Sequence, residues 1–320
     1  MDSKYQLLNT YLLPIIHLMN DSTVNEIMVN RYDDIWVKRF SHKHEKIKNV
    51  FEENQLKGLI TLLASTSHRE IGDERSSKDT FKIISAGIPG FRFEAWSKPV
   101  SLYGPSLTIR KISTVFIPLD TYSKLGTFTI EIGEFLKKKV TKKNTILIAG
   151  ATGSGKTTFF NSLIDHIPSD ERLIVIETIP ELNIPKRNVL YLQADAEQGY
   201  SVNRLIESAL RGLPDRILIG ELRGVEADGF LTICNTGHPG SIATIHANSS
   251  IDALLRLEDM VMEGRKNISI DSLKKRISTI NPIVIYIQIE EKNSKKIPVL
   301  TEIIEIKGLK NHEYLYEKII

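Results

Sequence analysis

Apolar and polar positions alternate in two different ways along the chain, and the change falls near residue 128. Before it, Leu7, Leu8, Tyr11, Leu12, Ile15, Ile16 and Met19 recur at helical spacing and predict one amphipathic helix over 5–19. VNEIMVN (24–30) and DDIWVKRF (33–40) read as strands joined by a polar turn at 31–33. ENQLKGLITLLASTSH (53–68) is a second amphipathic helix. Strands follow at FKIISA (81–86), FRFEAWS (91–97) and SLTIRK (106–111), with GIPG (87–90) as the turn between the first two. This pattern predicts an α+β domain over 1–111. Residues 112–127 carry a proline, a glycine and several Ser/Thr, and read as a linker and hinge. From 128 to 320 the pattern is a helix at 131–140, then strands at 145–150, 172–178 and 216–222 separated by helices. Strands that are apolar throughout, alternating with helices, predict a parallel sheet covered on both faces. IVIYIQIE (283–290) and KIPVLTEIIEI (296–306) suggest a closing hairpin.

A length of 320 residues suits two domains. No apolar run approaches the roughly 18 residues that span a bilayer, and Asp2 and Lys4 do not suit a secretory leader. A cytoplasmic protein that meets a membrane only peripherally is expected. The net charge of +3 singles out no partner. The lysine run KKKVTKK (137–143) has no interleaved aromatics, so direct nucleic-acid binding is not indicated. It reads as a solvated helix end. Cys234 is the single cysteine, which excludes an intrachain disulfide and a Cys/His zinc cluster; it is expected to be a buried thiol.

Candidate chemistry concentrates in ILIAGATGSGKTTFF (146–160). Gly150, Ala151, Thr152, Gly153, Ser154, Gly155, Lys156 and Thr157 satisfy G-x-x-x-x-G-K-[ST] without mismatch, and Thr158 follows. Such a loop lets successive N–H groups converge on a triphosphate at a helix N-terminus. Lys156 then reaches the β- and γ-phosphates, and the Thr157 hydroxyl ligates Mg²⁺. Two apolar strands end in acids, Glu177 and Glu221. The C-terminal ends of parallel strands border the ligand crevice, so both are expected to face the phosphates, Glu221 on the metal side. Glu181 is expected to be solvated. His246 follows the apolar stretch SIATI and is placed at a strand tip; His238 is expected to be more peripheral. Arg211, Arg216 and Arg223 surround the Glu221 strand as weaker candidates, Arg216 pairing locally with Asp215 or Glu221.

Taken in order, GATGSGKTT, RLIVIETIPEL, LPDRILIGELRG and NTGHPGSIATIHANS resemble the Walker A loop, acidic "Asp box", Walker B segment and "His box" of the hexameric traffic ATPases of type IV secretion and conjugal transfer, relatives of pilus motors. The likeness is strong over 128–260 and looser before it. The resemblance implies a RecA-like P-loop ATPase domain behind an N-terminal α+β domain of PAS-like type. It implies a homo-hexamer that turns over ATP with Mg²⁺ at the cytoplasmic face of the inner membrane. Other secretion or conjugation ATPases and inner-membrane channel components are the implied partners. It assigns Glu177 to water positioning, His246 to γ-phosphate sensing, and Arg92 and Arg110 to the γ-phosphate. One departure is Thr178, where the family has an aspartate beside Glu177; slower turnover would follow. The alternative reading is a nucleotide-dependent conformational switch or nucleic-acid-coupled module with incidental turnover. A small-molecule kinase fits poorly, because no Arg-rich lid segment follows the loop.

Overall fold

The structure, a computed structural model, describes residues 3–39, 44–48, 51–66, 83–88, 90–112, 116–196, 198–265, 267–292 and 295–320. Parts of four expected elements (Phe40, 67–68, 81–82 and Pro89) and residues 113–115 of the expected linker lie outside these. The chain divides into two compact units, Met1–Ser113 and Thr114–Ile320.

The first unit runs α1 (Ser3–Leu12), α2 (Ile16–Asn20), β1 (Val24–Arg31), β2 (Asp34–Arg39), β3 (Glu45–Ile47), α3 (Glu53–Thr66), β4 (Ile83–Ile88), β5 (Phe91–Trp96) and β6 (Ser106–Lys111). Its sheet is antiparallel, in the order β3-β2-β1-β6-β5-β4. The apolar stripe expected as one helix over 5–19 is two helices joined by a single 3₁₀ turn at Leu13–Ile15. Pro14 has no N–H to continue the α-helical ladder, and the turn reorients the chain there. Leu8, Leu12, Ile15 and Met19 still reach one core, with Ile27, Val37, Leu59, Phe93 and Ile109.

The second unit runs α4 (Leu119–Lys124), α5 (Ile130–Thr141), β7 (Ile146–Ala149), α6 (Lys156–Ile164), β8 (Leu173–Glu177), β9 (Val189–Gln193), α7 (Val202–Ala209), β10 (Arg216–Leu222), α8 (Glu226–Asn235), β11 (Ile242–Ile245), α9 (Ser250–Gly264), α10 (Ile270–Thr279), β12 (Ile283–Lys292), β13 (Lys295–Lys310) and β14 (Glu313–Lys318). The sheet order is β14-β13-β12-β7-β11-β10-β8-β9, parallel from β12 through β9 and antiparallel at β13 and β14. The expected hairpin is present, extended by a third strand, and its first strand also joins the parallel core.

Period-two alternation distributes the buried strands between two helical layers. Leu147, Ala149, Ile174, Ile176, Ile217 and Ile219 point to the layer of α7–α10. Ile146, Ile148, Leu173, Val175, Leu218 and Ile242 point to α4–α6. The span 112–127 is not wholly a linker. Leu119 and Tyr122 of α4 are buried in the second core. The Tyr122 ring meets Phe159 of α6 edge-on at 5.4 Å, and Phe128 stacks on Tyr122 at 6.1 Å. Aromatic burial of this kind is worth several kcal/mol and outweighs the loop-like composition around it. It also seats α6, the helix on which the glycine-rich loop ends.

Candidate active site

Parallel pairing aligns the ends of the central strands. Ala149 of β7 pairs with Ile245 of β11, so Gly150 and His246 emerge side by side. Ile176 of β8 pairs with Ile219 of β10, which brings Glu177 beside Gly220 and places Glu221 next along. The loop 150–155 turns through three positive-φ glycines, 150, 153 and 155, before α6 begins at Lys156. At Gly150 a Cβ would sit 2.3 Å from the Ile287 carbonyl oxygen, so only glycine lets the loop lie against β12.

Lys156 is buried within this loop. Its Nζ donates to the carbonyls of Gly150 and Ala151, both at 2.8 Å, and lies 3.3 Å from His246 Nδ1. Burial lowers its pKa to about 8, opposed by the nearby carboxylates of Glu221 and Glu181. His246 bridges to the Walker B acid: its Nε2 lies 2.5 Å from Glu221 Oε1. That approach is not aligned as a hydrogen bond, and Glu221 Oε1 is a buried acceptor without a well-aligned donor among the described residues. Burial and the Lys156 cation lower the His246 pKa, opposed by the Glu221 carboxylate. The other Glu221 oxygen takes Arg223 at 2.7 Å (Nε) and 2.6 Å (Nη2).

Glu177 is placed differently from the expectation that it faces the phosphates. Its Oε1 accepts the backbone N–H groups of Glu181 (3.0 Å) and Leu182 (3.1 Å), closing the turn that follows β8. Burial raises its pKa to about 7, against the lowering effect of those two N–H donors. Glu181, expected to be solvated, is half-buried, and its Oε2 accepts from Thr157 Oγ1 at 3.2 Å. The Thr178 side chain is exposed.

The remaining candidates separate. Arg216 pairs with neither Asp215 nor Glu221. Fully buried, it makes a bidentate bond to Glu171 (2.5 and 3.0 Å) and donates to the Val140 carbonyl at 2.7 Å. His238 contacts the Pro214 carbonyl at 3.0 Å, away from the loop. The lysine run is partly engaged, with Lys139 on Glu305 at 2.5 Å and Lys143 on Asp215 at 3.3 Å. Cys234 is partly covered, and burial pushes its thiol up to about 12. Arg92 and Arg110 lie in the first unit, directly opposite each other on β5 and β6; Arg110 pairs with Glu26 at 2.8 Å.

The pocket fits a metal-bound triphosphate. Ser154 Oγ is buried in the loop without a hydrogen-bond partner among the described residues. The Thr157 hydroxyl and the Glu221 carboxylate are oxygen donors of the kind magnesium takes. Among the described residues no group of three or more His, Cys, Asp or Glu forms a dedicated metal cage. A cation held by one threonine and phosphate oxygens needs none.

These features define a P-loop nucleotide-binding domain on a mainly parallel sheet, joined to a separate α+β unit. The family model described as "Type II/IV secretion system protein" matches residues 9–281. The conjugal transfer protein TrbB of Rhizobium radiobacter is 31% identical over 304 residues, covering 93% of this chain and 88% of the relative. The type IV secretion system protein VirB11 of Brucella suis is 31% identical over 313 residues, covering 87% and 85%. The crystal structure of the Brucella suis VirB11 ATPase in complex with sulphate superposes with a TM-score of 0.50 at 28% identity, over 94% of each chain. The pilus retraction motor PilT with bound ADP shares the fold, at a TM-score of 0.65 and 19% identity, over 94% of this chain and 84% of that one. The chain belongs to the type II/IV secretion system protein family and is one of its ATPases.

Proposed function

We propose that this chain is a Mg-ATP-hydrolysing motor of a conjugation or type IV secretion apparatus, acting as a homo-hexameric ring at the cytoplasmic face of the inner membrane. Family membership and the TrbB and VirB11 relatives support that setting. Among the described residues no helix is long and apolar enough to cross a membrane. Other secretion or conjugation ATPases and inner-membrane channel components are the partners this reading implies.

The observation that carries the chemistry is the linked set Lys156–His246–Glu221 at the mouth of the glycine loop. Lys156 is held by two loop carbonyls at the position where phosphate oxygens would replace them. The loop N–H groups and the α6 N-terminus bind the triphosphate, with Gly150 to Thr158 as its lining. Magnesium, when bound, would be held by Thr157 and Glu221 and would supply charge neutralisation of the β- and γ-phosphates. Glu221 orients the attacking water and takes its proton, through the oxygen that lacks an aligned donor. The water oxygen bonds to the γ-phosphorus as the β,γ-bridging bond breaks, and ADP leaves with the electron pair. His246 couples Glu221 to Lys156 and so reports whether the γ-phosphate is present. Arg92 and Arg110 meet the charge that develops on the transferred group, and movement of the N-terminal unit brings or withdraws them.

Lys156→Ala tests the assignment: ATP turnover by the purified protein should fall to background. Turnover at the unmodified rate would refute it. Light scattering with and without Mg-nucleotide tests the ring, and a strict monomer under both conditions would overturn it.

A further inference from the structure

Two carboxylates, Glu181 and Glu221, lie near the buried Lys156 of the loop, and among the described residues Glu181 is the one that accepts from Thr157. Glu221 is engaged by Arg223 and contacted by His246. Glu177 is engaged by two backbone N–H groups. Glu181 accepts the Thr157 hydroxyl proton at 3.2 Å. We propose that Glu181 is the positioning residue that orients the Thr157 hydroxyl toward a metal-bound triphosphate, and that Glu177 acts through Glu181 by holding the turn that carries it. The proposal rests on the nucleotide reading above and deepens it.

A threonine Oγ has one proton and two lone pairs. A cation takes a lone pair, so the proton needs an acceptor on another side, and a partner behind the ligand fixes its orientation. Glu181 Oε2 is that acceptor.

The segment after β8 is built to keep it there. Pro180 fixes the backbone just before Glu181. The Glu177 carboxylate gathers the N–H groups of Glu181 and Leu182, and Leu182 and Ile184 anchor in the core. The N–H of Asn183 donates to Asn161 Oδ1 at 3.0 Å. Asn161 lies on α6, four residues beyond Thr157 and therefore on the same helix face. The turn is thus tied to the helix one turn past the hydroxyl it serves.

The test is Mn²⁺ binding, followed by electron paramagnetic resonance, to the full-length protein loaded with ADP. Glu181→Ala should raise the Mn²⁺ dissociation constant about 10- to 100-fold, the usual cost of removing a partner behind a metal ligand. Metal-free ADP affinity should stay within about twofold, by the same argument that only the metal's ligand is disturbed. Glu181→Gln keeps an oxygen acceptor and should recover most of the loss. Glu177→Gln should fall between that variant and the unmodified protein. An unchanged Mn²⁺ affinity in Glu181→Ala overturns the proposal while leaving the nucleotide site standing. Loss of metal-free ADP binding in that variant also overturns it, since the role is then structural. Failure of the unmodified protein to bind ADP at all would bring down both readings.

Discussion

Glu177 is a carboxyl group enclosed at the end of β8, and its environment has a measurable signature. Burial raises its pKa from 4.5 to about 7 in the folded protein. A raised folded pKa means that the native state binds the proton more tightly than the unfolded chain does. The resulting stabilisation is fully present below about pH 4.5 and is lost as pH rises to about 7. At 1.36 kcal/mol per unit, the swing is about 3 kcal/mol. Glu177→Gln retains an oxygen for the N–H groups of Glu181 and Leu182 but cannot ionise. The variant should therefore gain about 3 kcal/mol on the unmodified protein between pH 4.5 and pH 8. Urea unfolding at both values checks this, and an equal difference at the two would contradict it. The candidate site residues were legible in uneven degree. Lys156, Thr157, Glu221 and His246 follow from a motif and from strand ends, both local signals. Glu181 has no such signal, because the turn that aims it is made by a side chain accepting from backbone, which leaves no hydrophobic period. Arg216 misled for a different reason: its partner Glu171 is 45 residues distant in sequence.

That same pair shows how segments far apart in the chain are joined. Arg216 opens β10, donates to Val140 near the end of α5, and grips Glu171 just before β8. Lys143 also approaches Glu171, at 3.6 Å. A guanidinium with no exposure depends on its carboxylate. Glu171→Ala strands that charge and should cost about 3–5 kcal/mol. Replacing both partners with apolar residues of similar volume, as in Arg216→Met with Glu171→Leu, should cost far less, since desolvation of the pair offsets much of its attraction. Denaturant unfolding of both variants measures the contrast, and equal losses would refute it. The strands around this pair could be read because both their faces are covered and their central runs, Ile217–Ile219 and Leu173–Ile176, are apolar. β9 could not, since it is an edge strand with Leu190 and Tyr191 exposed. Its pattern carries no clean alternation. α4 was hidden by composition, because its value lies in Tyr122 meeting Phe159, a contact no local window contains.

The two units have separate cores, and the proposed catalytic groups are divided between them. Arg92 and Arg110 are directly opposed on β5 and β6. Directly opposed residues of an antiparallel pair share a face, and like charges there are destabilising. Glu26, opposite Arg110 on β1, pairs with Arg110 at 2.8 Å. If they meet the γ-phosphoryl group, as proposed, the arginines act when charge develops and not when ADP is bound. Arg92→Ala should then lower ATP turnover by about 10³-fold or more, the range for an arginine meeting transferred phosphoryl charge. ADP affinity should change by less than about twofold, since the loop, Lys156 and Thr157 belong to the other unit and ADP has no γ-phosphate for the arginine to meet. Phosphate release and ADP titration on one preparation give both quantities. Parallel losses of turnover and ADP affinity would place Arg92 in ground-state binding or in folding, and a turnover unchanged from the unmodified protein would remove it from the reaction.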